Sequence, residues 1–352
     1  MTLPPHPERT QPAMIRCIPA TDAMEWDDFV RDTDGASFCH LWSWQHIIEE
    51  STGHAGVYAE ARDTEGSLLG VLPLVHVRSL LFGEHLVSVP FLNYGGPAGN
   101  AAARAALTQW AIDEAARRCV KSLLLRTRRA VSGDFPVAQS KITVILPLPA
   151  SADDLWNKGF NAKFRGKIKR PQRDGMETKF GLEHLDGFYD VWAENMRDLG
   201  TPVLPRAFFE RIITMLPELV LLGVTYWNGR AVAGGFGFIW GAEFEMTWSS
   251  SARALRAQKP NMLLYWDYMR ELIARGVTSF NFGRSTPGTG PHEFKRSWGG
   301  VDESLPWIEW PDAGGGSGES KAAQLASIAW RRLPLVVANT LGPFFARQLP
   351  WW

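Results

Sequence analysis

The chain has 352 residues, enough for two domains of ordinary size, each with its own hydrophobic core. Hydrophobic residues make up 45% and charged residues 21%, a balance that is typical of soluble globular proteins and excludes a disordered chain. The 37 Lys and Arg residues equal the 37 Asp and Glu residues, so any anion-binding surface must come from local clustering.

Cysteine usage and hydropathy favour a cytoplasmic protein. Cys17, Cys39 and Cys119 are odd in number and widely spaced, without a metal-ligand or disulfide pattern, which favours a reducing compartment. Residues 1–13 are polar and Pro-rich, lack the apolar region of a signal peptide and are predicted to be disordered. No run of about 18 uncharged apolar residues occurs, so no transmembrane helix is predicted.

The first half of the chain begins with one strand and two helices. These are predicted at Met14–Ile18, at Asp22–Val30 with Thr21 as N-cap, and from the cap Ser37 to Ile48. A hairpin follows, formed by Val57–Ala61 and Leu68–Val77, and then a strand at Leu86–Val89 that leads into a glycine-rich loop at 90–97. After the loop come a helix at Ala101–Arg118 and a buried strand at Lys121–Arg126.

The second half repeats that order. The matching elements are predicted at Leu219–Trp227 with Ala231–Trp240, Glu243–Trp248, Ser249–Ser251, Pro260–Arg275 and Val277–Phe282. The offset is roughly 160 residues and the residue identity is slight, so the repeat is one of pattern. It predicts two similar α/β domains, at 14–148 and 149–310, joined near Pro147–Ala150.

A basic segment lies between the two series. Asn161–Arg173 is predicted to be a helix that ends at Pro171 or shortly before it. Lys163, Lys167 and Arg170 share one face of this helix by their i, i+4, i+7 spacing. Unopposed positive charges repel one another unless an anion binds nearby, but a simply solvated face is the equally open alternative.

Two further helices, a linker and a tail complete the predicted elements. The helices are Glu183–Leu199, stopped by Gly200 and Pro202, and Arg206–Leu216. Residues 311–321 are a flexible linker by their Gly and Ser content. The tail, 322–352, mixes apolar residues with arginines, which suits either an anchor at a membrane interface or a segment packed on the protein's own surface.

The stretch Phe280–Gly300 has the residue types of an anion-binding loop. Gly283, Gly288 and Gly290 would let the backbone approach a ligand because no Cβ stands in the way. Arg284 and Lys295 add fixed positive charge, which suits a phosphate, a carboxylate or a developing oxyanion. The alternative is an ordinary surface turn.

Several familiar site types are missing from the sequence. G-R-S-T-P-G-T-G lacks the Gly-Lys-Ser/Thr ending of a nucleotide-binding P-loop, and there is no G-x-S-x-G nucleophile elbow. The histidines form no H-E-x-x-H pattern, so no metal site is predicted. An inventory of backbone, lysine, arginine and aromatic groups suits acyl transfer to an amine, where positioning and oxyanion stabilisation suffice without a protein nucleophile.

Several motifs are specific in combination. They are F-L-N-Y-G-G-P (91–97), N-M-R-D-L-G-T-P-V (195–203), N-M-L-L-Y-W (261–266), F-N-F-G-R-S-T-P-G-T-G (280–290), F-K-R-S-W-G (294–299) and the R-L-P…L-G-P tail (332–343). Together they resemble the FemAB-like proteins over about residues 14–350. More narrowly, they resemble the subgroup associated with exosortase/PEP-CTERM gene clusters in Gram-negative bacteria.

The resemblance implies two tandem acetyltransferase-like (GNAT) domains, each a mixed β-sheet flanked by helices. FemAB relatives transfer an aminoacyl group from charged tRNA to an amine of a peptidoglycan precursor. Other members of the superfamily acylate amines, including lipid amines, from acyl-CoA or acyl carrier protein. The lysine of the F-K-x-x-[FW]-G segment lies in the active site of such enzymes, which implies that Lys295 stabilises the oxyanion or the leaving group's phosphate and that Arg284 binds an anion.

The chain departs from the family in two places. It lacks the long helical hairpin arm that Gram-positive enzymes acting with tRNA often carry. The basic segment, R-S-Q-I-R-R-P in close relatives, is R-G-K-I-K-R-P (165–171) here. Asp198 in M-R-D-L-G is a candidate general base, although an Asp near a helix C-terminus also serves as a cap or ion-pair partner.

Lys295 and Asp198 are therefore the predicted catalytic residues. The predicted substrate-binding residues are Arg284, Ser285, Gly283, Trp298, Tyr265, Asn261, Trp248, Arg165, Lys169 and Arg170. No permanently bound cofactor is expected, only acyl-CoA, acyl carrier protein or aminoacyl-tRNA as co-substrate.

The expected function is that of a cytoplasmic N-acyltransferase or aminoacyltransferase with peripheral contact to the inner membrane. Its acceptor would be an amine of a cell-envelope, exopolysaccharide or peptidoglycan precursor, and DNA is not an expected partner. One alternative is a non-catalytic module of the same fold that binds anionic lipid or glycan through Lys163–Arg173. The other is a lipid-amine N-acyltransferase whose tail contacts the membrane.

Overall fold

A computed structural model gives the fold of residues 14–311 and 321–349. The first half contains β1 (Arg16–Pro19), α1 (Ala23–Asp32), α2 (Ser43–Thr52), β2 (Ala55–Arg62), β3 (Leu68–Ser79), β4 (Gly83–Ser88), β5 (Ala98–Gly99), α3 (Ala101–Arg117), β6 (Ser122–Leu125) and β7 (Val137–Pro147). The second half contains α4 (Ala152–Asp154), α5 (Ala162–Arg173), β8 (Glu177–Phe180), α6 (Leu185–Leu199), α7 (Arg206–Met215), β9 (Val220–Trp227), β10 (Arg230–Trp240), β11 (Glu243–Ser251), α8 (Pro260–Ala274), β12 (Ser279–Ser285), α9 (Gly290–Arg296) and β13 (Val301–Trp310). Two helices follow, α10 (Lys321–Trp330) and α11 (Leu335–Ala346).

The strands of the described residues form a single mixed sheet. Its order is β1-β2-β3-β4-β6-β13-β7-β12-β11-β10-β9-β8, with β5 paired to β3. The pairs β4–β6 and β11–β12 are parallel, and each joins a strand to the strand that follows the next long helix. The predicted α/β fold with mixed sheets flanked by helices is confirmed, and so is the repeated order of hairpin, strand, helix and strand.

The two halves meet at the centre of the sheet through β7 and β13, which the sequence pattern does not predict. β7 is the last strand of the first half, and it pairs antiparallel with β12 of the second half. β13 is the last strand of the second half, and it pairs antiparallel with both β6 and β7 of the first half. Pro306 of β13 lies where the register shifts between Leu305 and Trp307, which suits a residue without an N–H to donate. The domain limits at 148 and 149 stay a prediction.

Helices cover both faces of the sheet. One face packs against α1, α2, α6 and α7 around an aromatic core that includes Trp26, Phe208 and Phe236. The opposite face packs against α3 over the first half and against α5 and α8 over the second half. Burial of these aromatic and aliphatic side chains is the main favourable term for the fold, because each removes a large apolar area from water.

Three local predictions were wrong in detail. The N-cap of α1 is Asp22, not Thr21, and its Oδ1 accepts hydrogen bonds from the backbone N–H groups of Met24 and Glu25 at 2.9 and 3.0 Å. Ser37 caps only one short turn, after which the chain is extended at Leu41 and α2 begins separately at Ser43.

The third concerns the basic helix, α5, which does not end at Pro171 but continues to Arg173. Its buried side is formed by Phe164, Ile168 and Pro171 itself, so the proline ring contributes to packing. Proline lacks the backbone N–H that donates within a helix. In the last turn of a helix this missing hydrogen bond disrupts little, because few helical residues follow it.

The described part of the tail packs on the protein's own surface. Arg331 Nε donates to the carbonyl oxygen of Leu199 at 3.2 Å, and His54 Nε2 lies 2.8 Å from the carbonyl oxygen of Arg347. Among the described residues, no helix combines the length and the hydropathy needed to cross a bilayer. The predicted disorder at 1–13, most of the predicted linker at 311–321 and the last three residues of the tail lie outside the described residues.

Candidate active site

The parallel strands β11 and β12 separate towards their C-terminal ends. Their pairing runs from Glu243 opposite Ser279 to Glu245 opposite Asn281 and then stops, although both strands continue. Gly283 then takes a left-handed conformation with φ +71°, which turns β12 away from β11. Beyond this point β11 and β12 are no longer paired, and the backbone N–H of Gly283 donates to Asn281 Oδ1 at 2.9 Å.

A cleft of about 410 Å³ opens beside the separated strands. Its lining comes from the end of β11, the first turns of α8, the segment around α9 and the C-terminal part of α6. These residues are Ser249, Ser250, Ser251, Asn261, Leu264, Tyr265, Gly290, Pro291, Phe294, Lys295, Asn195, Leu199 and Arg256. The hydroxyl of Tyr265 lies 2.8 Å from Ser249 Oγ, so a hydrogen bond joins α8 to β11 across the base of the cleft.

Lys295 is a charged residue of this cleft whose side chain is hydrogen-bonded to the backbone of β12, beyond the point where β12 leaves β11. Its Nζ donates to the carbonyl oxygens of Gly283 and Arg284, each at 2.8 Å. Burial is the main cause that lowers the pKa of Lys295 to about 7. The positive charge of Arg284 lowers this pKa further, whereas the carboxylate of Glu245 opposes the shift. Lys295 can therefore both hold and release a proton near neutral pH.

Glu245 is a buried carboxylate on the same strand that lines the cleft. Only 2% of it is exposed, and its Oε1 accepts hydrogen bonds from Asn93 Nδ2 at 2.7 Å and Thr247 Oγ1 at 3.0 Å. Its Oε2 has no hydrogen-bond partner in the described parts of the chain. Burial raises the pKa of Glu245 to about 7; the bond from Asn93 opposes that rise and the charge of Glu243 adds to it.

The motif at 91–97 connects the first half of the molecule to this site. A Cβ at Gly283 would lie 2.9 Å from Asn93 Nδ2 and 3.0 Å from the carbonyl oxygen of Met246. The absence of a side chain at Gly283 thus lets the protein's own backbone and Asn93 approach, and not a ligand as the glycine-rich sequence predicted. Tyr94 of the same motif accepts a hydrogen bond from Asn281 Nδ2 at 2.9 Å.

Arg284 points its side chain into the centre of the sheet. Its Cζ lies 5.7 Å from the centre of the Trp307 ring, and Arg126 Cζ lies 5.5 Å from the same ring. Burial lowers the pKa of Arg284 to about 10, against the effect of Glu245. No carboxylate among the described residues forms an ion pair with Arg284, so its charge contributes to the local potential near Lys295.

Three of the predicted site residues, Lys295, Asn261 and Tyr265, are brought together around the cleft. Trp298 and Trp248 are instead core residues, 1% and 4% exposed, in the aromatic clusters on opposite faces of the sheet. Ser285 is buried as well, and its Oγ has no hydrogen-bond partner among the described residues.

The remaining predicted site residues do not line the cleft. Asp198 accepts a hydrogen bond from Arg197 Nε at 2.7 Å, an ion-pair arrangement at the end of α6. Arg165 donates to the carbonyl oxygens of Trp156 and Phe160. Lys169 Nζ lies 5.5 Å from the centre of the Trp156 ring, and Arg170 Nε lies 3.9 Å from Asp174 Oδ2. The roles predicted for these residues stay predictions.

Sequence reasoning missed Glu245 and Asn93. Glu245 lies in E-F-E-M-T-W (243–248), where alternation of polar and apolar residues is typical of a strand with one face in water. That polar face is covered here by the first half of the molecule, a contact between residues far apart in sequence. One sequence signal for Asn93 was available, because the motif F-L-N-Y-G-G-P (91–97) places its polar amide directly after the apolar residues Phe91 and Leu92.

Comparison with known proteins agrees with this geometry. Residues 159–296, which include β11, α8, β12 and Lys295, match the acetyltransferase (GNAT) domain. No curated protein matches the sequence. The chain therefore carries a GNAT acetyltransferase domain.

Solved structures share the fold of nearly the whole chain. FemX is 15% identical with a TM-score of 0.61, and the match covers 84% of this chain and 97% of FemX. The C-terminal domain of a putative lysylphosphatidylglycerol synthetase from Agrobacterium fabrum is 13% identical with a TM-score of 0.55, over 91% of this chain and 96% of that one. L-PGS from Bacillus licheniformis is 11% identical with a TM-score of 0.52, over 88% and 96%. At these identities the similarity concerns the fold.

Metal chemistry has no evident site in the described ranges. No group of three or more His, Cys, Asp or Glu side chains there is arranged to hold a metal ion. The groups of the site whose pKa lies near neutrality are Lys295 and Glu245.

Proposed function

We propose that the protein is an N-acyltransferase that places the acyl group of an activated donor in the cleft beside Lys295. The observation that carries this proposal is the Lys295 ammonium, fixed by two carbonyl oxygens where the parallel strands separate. A half-buried cation at that place stabilises negative charge on the acyl oxygen or on the leaving group. The match of residues 159–296 to the GNAT domain supports the same chemistry.

The cleft also offers groups that fit a phosphate-bearing donor such as acyl-CoA, acyl carrier protein or aminoacyl-tRNA. Arg256 lines the cleft, and no carboxylate in the described ranges forms an ion pair with it. The N-terminal turn of α8, a helix of 15 residues, contributes Asn261 and lies at the same place, where the helix dipole favours negative charge.

For the acceptor, we propose an amine of a cell-envelope, exopolysaccharide or peptidoglycan precursor. The support is the resemblance of the motifs around Asn195, Asn261 and Lys295 to the FemAB-like proteins of exosortase/PEP-CTERM clusters. The fold shared with FemX agrees with it. In this proposal 14–148 and 149–310 act as two tandem GNAT-like domains within one sheet.

We also propose peripheral contact with the inner membrane through the tail. The outer sides of α10 and α11 expose apolar side chains, namely Leu325, Ile328, Val336, Val337, Leu341 and Phe344. Residues 321–352 carry four Lys and Arg and no Asp or Glu. Exposed apolar groups together with positive charge suit the surface of an anionic bilayer. This surface is the specific reason to retain a lipid amine as the second candidate acceptor.

One experiment separates an enzyme from a non-catalytic binding module of the same fold. The purified protein would be titrated with acetyl-CoA by calorimetry, and separately incubated with radiolabelled acyl-CoA, acyl carrier protein or aminoacyl-tRNA and extracts of envelope precursors. The proposal predicts donor binding at millimolar concentration or below and transfer of label to an amine. Salt-sensitive binding of anionic lipid or glycan through Lys163–Arg173, with no labelled product from any donor, would instead identify the module.

A further inference from the structure

A second cavity, of about 450 Å³, lies between the two halves of the molecule, apart from the cleft that contains Lys295. The turn 34–38 and the loop 94–99 of the first half form one wall. Trp240 and Glu243, at the junction of β10 and β11, form part of the other wall. A volume of this size holds a ligand of about the dimensions of a sugar with a short substituent.

The carboxylates of this cavity differ in one respect. All except Glu245 form an ion pair with an arginine of the cavity wall. The pairs are Arg129–Asp34 at 2.8 Å, Arg128–Glu243 at 2.8 Å and Arg128–Glu303 at 3.5 Å. Glu245 is 2% exposed and forms no ion pair among the described residues. No described group donates a hydrogen bond to its Oε2. A buried carboxylate oxygen without a donor is unfavourable, so the site is incomplete until a ligand supplies an N–H or O–H group.

Asn93 links this carboxylate to the cleft on the other side of the strands. Its Nδ2 donates to Glu245 Oε1 at 2.7 Å and approaches Gly283, whose carbonyl oxygen accepts the bond from Lys295 Nζ. Glu245 also acts electrostatically on Lys295, whose pKa it raises against the effect of burial. The unpaired carboxylate of the cavity and the lysine of the cleft are therefore connected through Asn93 and Gly283.

We infer that the cavity between the halves is the acceptor site, that it takes a primary amine on a polar body of sugar size, and that Glu245 is the base that receives the amine's proton. The inference rests on the proposed acyl transfer. An ammonium ion fits because it supplies the missing donor to Oε2 and a positive charge beside a carboxylate that forms no ion pair among the described residues. The aromatic ring of Trp240, which is half-buried, offers apolar surface to the body of the ligand.

The chemical step balances with the groups at hand. The bound ammonium gives one proton to Glu245, and the neutral amine attacks the acyl carbon of the donor. The N–C bond forms, and the C–S or C–O bond to the leaving group breaks. The second proton passes from nitrogen to the leaving sulfur or oxygen beside Lys295, and Glu245 then releases its proton to solvent.

The protonation of Glu245 depends on several neighbours. The titratable and charged groups that act on it or on which it acts are Glu243, Arg128, Cys39, Tyr94, Arg284 and Lys295. Of these, only Lys295 has a pKa that burial brings to about 7, so over the range from pH 6 to 8 the pair Glu245 and Lys295 dominates the titration.

The test uses 6-amino-6-deoxyglucose as the probe and glucose as its matched neutral control, with binding measured by NMR on the full chain. At pH 8 the amino sugar should bind wild type at least tenfold more tightly than glucose. That preference should fall at least fivefold in Glu245→Gln and should remain in Glu271→Gln, which alters an ion-paired carboxylate of α8 that lies outside the cavity. The preference of wild type should also weaken from pH 8 to pH 6, a measurement that stands even if Glu245→Gln does not fold.

The outcomes separate this inference from the proposed function. Equal binding of amino sugar and glucose to wild type, or an unchanged preference in a folded Glu245→Gln protein, would overturn the acceptor site and its base, whatever the transfer assay gives. Absence of transfer from every donor, with the amine preference intact, would overturn the acyltransferase and leave the cavity as an amine-binding site.

Discussion

Glu245→Gln should change how the stability of the protein depends on pH. Glutamine keeps the shape of the side chain and can still accept the bonds from Asn93 and Thr247, but it cannot ionise. In wild type the pKa of Glu245 rises from 4.5 in the unfolded chain to about 7 in the folded one, because burial disfavours the charged form. The folded state thus binds this proton more tightly than the unfolded state.

The sign of the effect follows from linkage. The stability that this group contributes is fully present below pH 4.5 and is lost as the pH rises through about 7. A shift of this size corresponds to about 3 kcal/mol, at about 1.4 kcal/mol for each pH unit. Relative to wild type, the Gln variant should therefore gain about 3 kcal/mol in its free energy of unfolding between pH 4.5 and pH 8.

Urea unfolding of both proteins at the two pH values measures this difference. Lys295 also titrates near pH 7, with the opposite sign, but it is present in both proteins and cancels to a first approximation when they are subtracted. A difference between variant and wild type that stays constant within about 0.5 kcal/mol across this range would refute the reasoning, because Glu245 would then titrate alike in the folded and unfolded chains.

Further expectations concern the catalytic pair, the basic helix and the tail. The rate of transfer should have a bell-shaped pH profile centred near 7, since Glu245 must be ionised and Lys295 protonated. Lys295→Arg should retain activity on the alkaline side, because arginine stays protonated there. A pH profile of this variant identical to that of wild type would contradict the role of the lysine. Arg165→Ala should lower the free energy of unfolding by about 1–3 kcal/mol in chemical denaturation, because the carbonyl oxygens of Trp156 and Phe160 lose their hydrogen-bond donor. The affinity for the acyl donor should stay within twofold of wild type. A loss of that affinity without a loss of stability would favour a binding role for Arg165 instead. Leu341→Ser with Phe344→Ser should reduce flotation with phosphatidylglycerol vesicles at least fivefold while transfer to water-soluble amines is unchanged, and equal flotation would remove the membrane role of the tail.

Local chemistry was sufficient to predict most of the repeated elements. The hairpin β9–β10 follows from the Asn228-Gly229 turn, and both residues have positive φ in the structure. The helix α8 follows from Pro260 at its first turn and an apolar run behind it. Lys295 could be proposed because the F-K-x-x-[FW]-G segment combines a resemblance with a charge in a glycine-rich stretch.

The contacts that complete the site could not be predicted from local patterns. β7 and β13 carry polar residues such as Lys141 and Asp302 and are placed by pairing across the two halves. The covering of Glu245 by Asn93 depends on the same association, so a strand with a polar face is buried on both sides. Trp298 was predicted to bind substrate, but it lies within the aromatic core of the second half.

The most direct test of the central claim is a single-turnover measurement with Lys295→Ala. Wild type and variant would be mixed with labelled donor and excess amine acceptor, and the rate of amide formation would be followed by mass spectrometry, with circular dichroism to establish that the variant folds. We expect at least a hundredfold slower transfer in the variant, because the acyl oxygen or the leaving group loses its half-buried cation. Transfer within a fewfold of wild type in a folded Lys295→Ala protein would contradict it.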